Sequence, residues 1–175
     1  MLERINIISI ITDHFKTLKS LNQKSNWVNG KDLLLFIGLP LTLSILLTYK
    51  GYTFKDQLGS LIAAISIFGG FLFNLLAIIY SQLDNIEKDA NNENSDLKKK
   101  FVKEIHSNIS FCIVLSIFIV ITLLLTTIDI PEFQYDWIIK KSIIGINYFL
   151  MSLFLLTLIM ILNRVYILLK KNGEK

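Results

Sequence analysis

Residues 58–80 read LGSLIAAISIFGGFLFNLLAIIY, twenty-three positions without an Asp, Glu, Lys, Arg or His. A helix rises about 1.5 Å per residue and the hydrocarbon core of a bilayer is about 30 Å thick, so roughly 20 apolar residues cross it. Three more charge-free stretches accompany this one, at 33–49, 109–128 and 143–162; the last two reach spanning length and the first nearly does. Together the four occupy about half of the 175 residues. The fold class that follows is all-α: an integral membrane four-helix bundle forming a single four-span domain over 1–175.

Within 58–80 a second pattern is superimposed on the apolar one. Gly59, Ala63, Ser66, Gly70, Asn74, Ala77 and the following Ser81 advance by steps of 4, 3, 4, 4, 3 and 4, so small and polar side chains form one stripe along the helix. Leu61, Ile65, Phe68, Leu72 and Ile79 occupy much of the other side. In lipid, helix association depends on close packing and interhelical hydrogen bonds rather than on hydrophobic expulsion, and small residues let backbones approach. The stripe Gly59, Ala63, Ser66, Gly70, Asn74 and Ala77 is therefore a packing and self-association face. Its alternative is one wall of a conduit, should several copies surround an axis. Asn74 is the most polar group well inside any span and needs a partner there. Asn147 lies nearer the other end of its own span and does not suit that role within one chain. Ser142, Gly145 and Ser152 form only an incomplete stripe in 143–162, and Ser116 and Thr122 mark no clean face in 109–128.

Basic residues are retained on the cytoplasmic side of a membrane. Of 18 Lys and Arg, 14 fall before the first span, between the second and third, or after the fourth. Lys50, Lys55, Lys140 and Lys141 alone occupy the other two loops. Both termini and the 81–108 connection are thus expected in the cytoplasm. This asymmetry accounts for the net charge of +4, and direct nucleic-acid binding is not expected. The beginning of the chain lacks a short apolar run followed by a small-residue cleavage site, so the first span is expected to serve as its own targeting signal.

Residues 2–21 carry Ile7, Ile8, Ile11, Phe15 and Leu18 at helical spacing, with Arg4, Asp13, Lys16 and Lys19 largely elsewhere. This predicts an N-terminal amphipathic helix, either lying on the membrane surface or packed under the bundle. Trp27 suits an anchor at headgroup level, Asn29-Gly30 allows a turn, and Pro40 predicts a kink in the first span. The 81–108 connection is the only substantial soluble part. Leu83, Ile86 and Ala90 continue the period of the second span, while Leu97, Phe101 and Ile105 lead into the third, with 91–95 turn-like between them. A protruding helical hairpin is expected, acidic on one arm (Asp84, Glu87, Asp89) and basic on the other (Lys98, Lys99, Lys100, Lys103). The lysine run has three readings: an orientation-setting solvated cluster, a patch for anionic lipid, or a contact for a soluble partner. In the last reading Lys98, Lys99 and Lys103 are the docking residues.

Chemistry finds little purchase. His14 and His106 stand isolated in the sequence, and no GxSxG, HExxH or glycine-rich phosphate loop is present. No catalytic residue, cofactor or metal ligand set is expected. Coupled antiport requires an ionisable group inside the membrane, and the spans contain none. The single cysteine, Cys112, lies within the third span and reads as a small apolar packing residue. One cysteine and short outer loops also exclude a tetraspanin or claudin architecture.

The segment FGGFLFNLLAIIY (68–80), followed by the charged hairpin and two further spans, resembles the small four-span membrane subunits of bacterial anti-phage defence systems, the KwaA family of the Kiwa system in particular. That resemblance implies a homo-oligomer, a tetramer, in the bacterial inner membrane, with a cytosolic DNA-binding partner encoded in the same operon. The expected function is a non-catalytic sensor or membrane-perturbing subunit. Four-span immunity proteins against pore-forming bacteriocins are similar in length, topology and basic ends, and a small stand-alone channel is a third reading.

Overall fold

The structure, a computed structural model, describes residues 6–18, 30–88, 95–128 and 136–173, with side chains at all of these save 31, 82–88, 95–97 and 168–173. Trp27 and residues 91–94 of the expected turn lie outside the described residues. Among these residues all regular structure is helical: α1 (Ile7–Thr17), a composite α2, α3 (Leu58–Lys88), α4 (Ser95–Leu125) and α5 (Asp136–Gly173). Helix α2 consists of Gly30–Leu33, a widened π-turn at Leu34–Gly38, and Leu39–Tyr49. Ser95, placed by the sequence reading in a turn, is the first residue of α4.

The widened turn has a local cause. Pro40 has no N–H to offer and its ring crowds the carbonyl one turn earlier, so it is tolerated at the opening of a helical segment. It occupies that place in Leu39–Tyr49, and the irregular turn comes immediately before it. Helix α2 ends where Gly51 takes φ +76°, a left-handed conformation that costs glycine little. The amides of Gly51 and Tyr52 then close onto Thr48 O and Leu47 O at 3.2 and 3.3 Å.

Helices α3, α4 and α5 are long and apolar enough to cross a membrane, whereas the apolar part of α2, Leu34–Tyr49, is shorter. Helix α4 is the centre of the bundle. It packs against α3, α5 and α1, while α2 packs on α5 and not on α3, the helix that follows it in sequence. Half of α4's apolar window is buried, against 22% for α3 and for α5. Val102, Ile105, Ile109, Cys112, Ile119 and Leu123 of α4 are fully buried. Outward-facing positions are also apolar: Ile45, Leu46, Ile67, Phe71, Phe73, Ile159 and Leu162 are all exposed. Such a continuous apolar exterior is anomalous in water and ordinary in lipid.

Helix α3 meets α4 along Ile62, Ile65, Gly69, Leu72, Leu76 and Ile79, alternating steps of 3 and 4 that form a heptad-like seam of buried or half-buried residues. Gly69 is the closest approach, since a Cβ there would lie 3.1 Å from Ser116 Oγ. Helix α5 receives α2 at a second glycine: Ser44 Oγ donates to Gly145 O at 2.6 Å, and a Cβ on Gly145 would meet Thr48 Oγ1 at 3.3 Å. Asn147 is fully buried; its Nδ2 donates to Ile143 O at 2.9 Å and its Oδ1 accepts from Thr122 Oγ1 at 2.8 Å, tying α5 to α4. Interhelical hydrogen bonds of this type contribute about 0.6 kcal/mol each within a membrane.

Candidate functional site

Two features stand out against this apolar frame: a polar seam where α1, α4 and α5 meet, and an outward face on α3.

The seam begins with α1. Asn6 caps it, its Oδ1 accepting from Ser9 N at 3.0 Å. The helix packs on α4 with Ile10, Ile11, His14, Thr17 and Leu18 turned inward, while Ile8 is 77% exposed. Of the side drawn through Ile7, Ile8, Ile11, Phe15 and Leu18, Leu18 is buried and Ile7, Ile11 and Phe15 are half-buried, while Ile8 is the exception; the centre of the buried side is shifted toward His14 and Thr17. The cause is His14, which the apolar pattern alone assigns to neither face. Its imidazole is fully buried and stacks on Phe111, with centroids 3.9 Å apart and planes within 5°. Phe15 and Phe36 approach it edge-on. His14 Nδ1 donates to Asn108 Oδ1 at 2.9 Å, and Thr17 Oγ1 reaches the same oxygen at 2.8 Å and His14 O at 2.7 Å. His14, isolated in the sequence, is thus the hub of a buried contact between residues 94 positions apart.

Arg164 of α5 completes the seam. It pairs with Glu104 of α4, both side chains 13% exposed, and donates from Nη2 to Thr17 O at 2.8 Å. One guanidinium thereby joins α1, α4 and α5. Helix α1 is not one of the spanning helices. Burial pushes the His14 imidazole down to about 4 from 6.5; the Asn108 hydrogen bond opposes that shift and the positive charge of Arg164 adds to it. The ring is neutral at pH 7, with Nδ1 carrying the proton. His14 Nε2, Asn108 Nδ2 and Ser107 Oγ are buried without a hydrogen-bond partner among the described residues. The sequence signal for this seam was a polar pair at i and i+3, His14 and Thr17, on the side of an amphipathic helix between Ile10, Ile11 and Leu18.

The second feature is the stripe of α3. Gly59, Ala63, Ser66, Gly70, Asn74 and Ala77 are all exposed, lying about a third of a turn from the seam with α4. A Cβ on Gly70 would meet nothing within 4 Å. Asn74 makes no side-chain hydrogen bond among the described residues. Within one subunit the close helix approach is made by the neighbouring Gly69, and the stripe remains unused.

The three lysines singled out for docking are separated by the structure. Lys99 and Lys103 border an open groove between α1, α4 and the end of α3, together with Lys100, whereas Lys98 does not line it. Lys16, Lys99, Lys100, Lys103 and Arg164 share the α1 end of the bundle, while Lys55 and Lys140 border a groove at the opposite end with Thr53, Phe54 and Ile143. Among the described residues no group of three or more His, Cys, Asp or Glu is placed to hold a metal ion. No protein-family model matches the sequence, and no characterised protein or solved structure shows significant similarity to it.

Proposed function

We propose that this chain is a non-enzymatic, self-associating subunit of the bacterial inner membrane, its copies packed through the outward face of α3. Its basic α1 end would lie in the cytoplasm and receive a soluble partner. The observation that supports this reading most is the exposure of the whole Gly59–Ala77 stripe, with the Asn74 amide set unpaired among small and apolar side chains. An amide facing hydrocarbon costs several kcal/mol unless it finds a partner, and the same face of a second copy offers both close backbone approach and a matching amide.

The membrane orientation rests on the gathering of Lys16, Lys99, Lys100, Lys103 and Arg164 at one end of the bundle. The resemblance to anti-phage membrane subunits supplies the biological setting: a sensor or membrane-perturbing component, tetrameric, docked by an operon-encoded cytosolic protein through Lys98, Lys99 and Lys103. Because the stripe also carries Ser66 and Asn74, a ring of copies that turned it inward would line a polar axis. Conductance of purified protein in planar bilayers, lost in Asn74→Leu, would favour that channel reading.

The test is the mass of the detergent-solubilised particle. Gly70→Leu and Asn74→Leu should each shrink the oligomer while leaving the subunit folded, since neither side chain is packed within it. An unchanged particle in both variants, or a monomeric wild type, would overturn the reading. For the partner, Lys98→Glu/Lys99→Glu/Lys103→Glu with verified insertion should abolish copurification from the native operon.

A further inference from the structure

The open groove between α1, α4 and the end of α3 has a volume of about 760 Å³ and is lined by Lys16, Lys99, Lys100 and Lys103, with Asp13 and Glu104 as its acids among the described residues. Both acids are already engaged. Asp13 pairs with Lys16 at 2.9 Å, and Glu104 pairs with Arg164, which approaches from α5. Lys100 and Lys103 make no ion pair among the described residues. Among the described residues the groove thus retains the positive charge of Lys100 and Lys103 after these pairs are formed.

Its geometry is that of a site for a compact anion. Lys100, Lys103 and Ser107 follow one another along a single stripe of α4 at i, i+3 and i+7. Ser107 Oγ, on the groove wall, is buried with no hydrogen-bond partner among the described residues. A hydroxyl donor with two ammonium groups one and two turns above it matches the oxygens of a phosphate group. Depth points to the source of that phosphate. The charge-free run of α4 begins at residue 109, so Ser107 lies about 3 Å, Lys103 about 9 Å and Lys100 about 14 Å outside the hydrocarbon boundary. The headgroup layer is about 5–7 Å thick on each side of the core, so Ser107 lies within it and the lysines start beyond it, with long flexible stems that bring their ammonium groups back toward it. Tyr80, at the end of the charge-free run of α3, forms the opposite wall, an ordinary place for a phenol at the interface. His106 adds a further donor at the rim.

We infer that this groove binds a phosphate group at the membrane surface through Lys100, Lys103 and Ser107, the headgroup phosphate of an anionic lipid being the source its depth favours. The site is independent of the α3 stripe, so its failure and that of self-association are distinguishable.

The experiment uses full-length protein in uncharged detergent, with lipid retention read by native mass spectrometry. Phosphatidylglycerol and phosphatidylcholine are the lipid probes, and inorganic phosphate is compared with chloride at matched ionic strength. A surface lysine contributes about fivefold to binding an anionic headgroup, so Lys100→Gln/Lys103→Gln should lower phosphatidylglycerol retention more than tenfold. Ser107→Ala, which alters no charge, should lower it severalfold and decides the matter if the double variant does not fold. Lys140→Gln/Lys141→Gln, at the other end of the bundle, should leave retention unchanged. Selective retention of phosphatidylglycerol supports a lipid site; displacement by inorganic phosphate without lipid preference supports the same site with a free phosphate as its source. Equal retention of both lipids with no effect of phosphate, or equal losses from the Lys100/Lys103 and Lys140/Lys141 pairs, overturns the proposal.

Discussion

Arg164→Met, alone and combined with Glu104→Gln, probes the junction on which α1, α4 and α5 converge. Both side chains of the pair are 13% exposed, and Arg164 also donates to Thr17 O at 2.8 Å. Removing one member of a buried pair strands the other charge, at a cost of about 3–5 kcal/mol when burial is complete. Residual exposure, and the lysines that share the groove with Glu104, reduce the expected loss for Arg164→Met to about 2–3 kcal/mol. The double variant has no stranded charge and loses chiefly the hydrogen bond to Thr17, about 1 kcal/mol. The single variant should therefore be less stable than the double by about 1–2 kcal/mol. Unfolding by SDS in mixed micelles, followed by helical circular dichroism, measures the difference. Maleimide labelling of Leu18→Cys in a Cys112→Ser background reports whether α1 remains docked, since position 18 is 3% exposed. If Arg164→Met were no less stable than the double variant, the burial argument for this junction would fail.

Two further outcomes follow from the same contacts. His14 has a folded value near 4 against an ordinary 6.5, so the undocked state takes up a proton first; α1 docking should be strongest above pH 6.5 and weaken progressively as pH falls toward 4. The total loss is on the order of 3 kcal/mol, and a Leu18→Cys labelling profile as steep in His14→Gln as in wild type would refute its assignment to His14. Gly69 and Gly70 should separate cleanly: Gly69→Leu collides with Ser116 and destabilises the subunit by about 1–3 kcal/mol, whereas Gly70→Leu leaves unfolding unchanged and alters particle size. Equal unfolding midpoints for the two variants would contradict the placement of the α3–α4 seam.

What the sequence made legible and what it hid divide along physical lines. The length and apolarity of α3, α4 and α5 are properties of contiguous residues, and the two faces of α3 differ in side-chain size, so periodicity exposes them. The neighbour order is another matter: α2 packs on α5 through Ser44, Thr48 and Gly145, contacts about a hundred positions apart that no local pattern encodes. Gly69 was overlooked beside the regular stripe because it is the one small residue on a seam of large apolar ones, next in sequence to Gly70 of the stripe itself. His14 and Arg164 were each read singly, one as an isolated histidine and the other as a topology-setting charge. Their roles appear only when Asn108, Thr17 and Glu104 are brought to them by the fold. The buried side of α1 is shifted toward His14 for the same reason, since a buried hydrogen-bonded imidazole stacked on Phe111 outweighs an exposed Ile8.

The central claim, that copies of this chain meet through the outward face of α3, is tested most directly by cysteine cross-linking in native membranes in a Cys112→Ser background. Single cysteines are placed at Ala63, Gly70 and Ala77 on the stripe and at Ile67, Phe71 and Ile78 on exposed apolar positions of the same helix. The account requires cross-linked dimers at the first three positions and little product at the others. Dimers concentrated at Ile67, Phe71 and Ile78, or absent from all six positions, would contradict it.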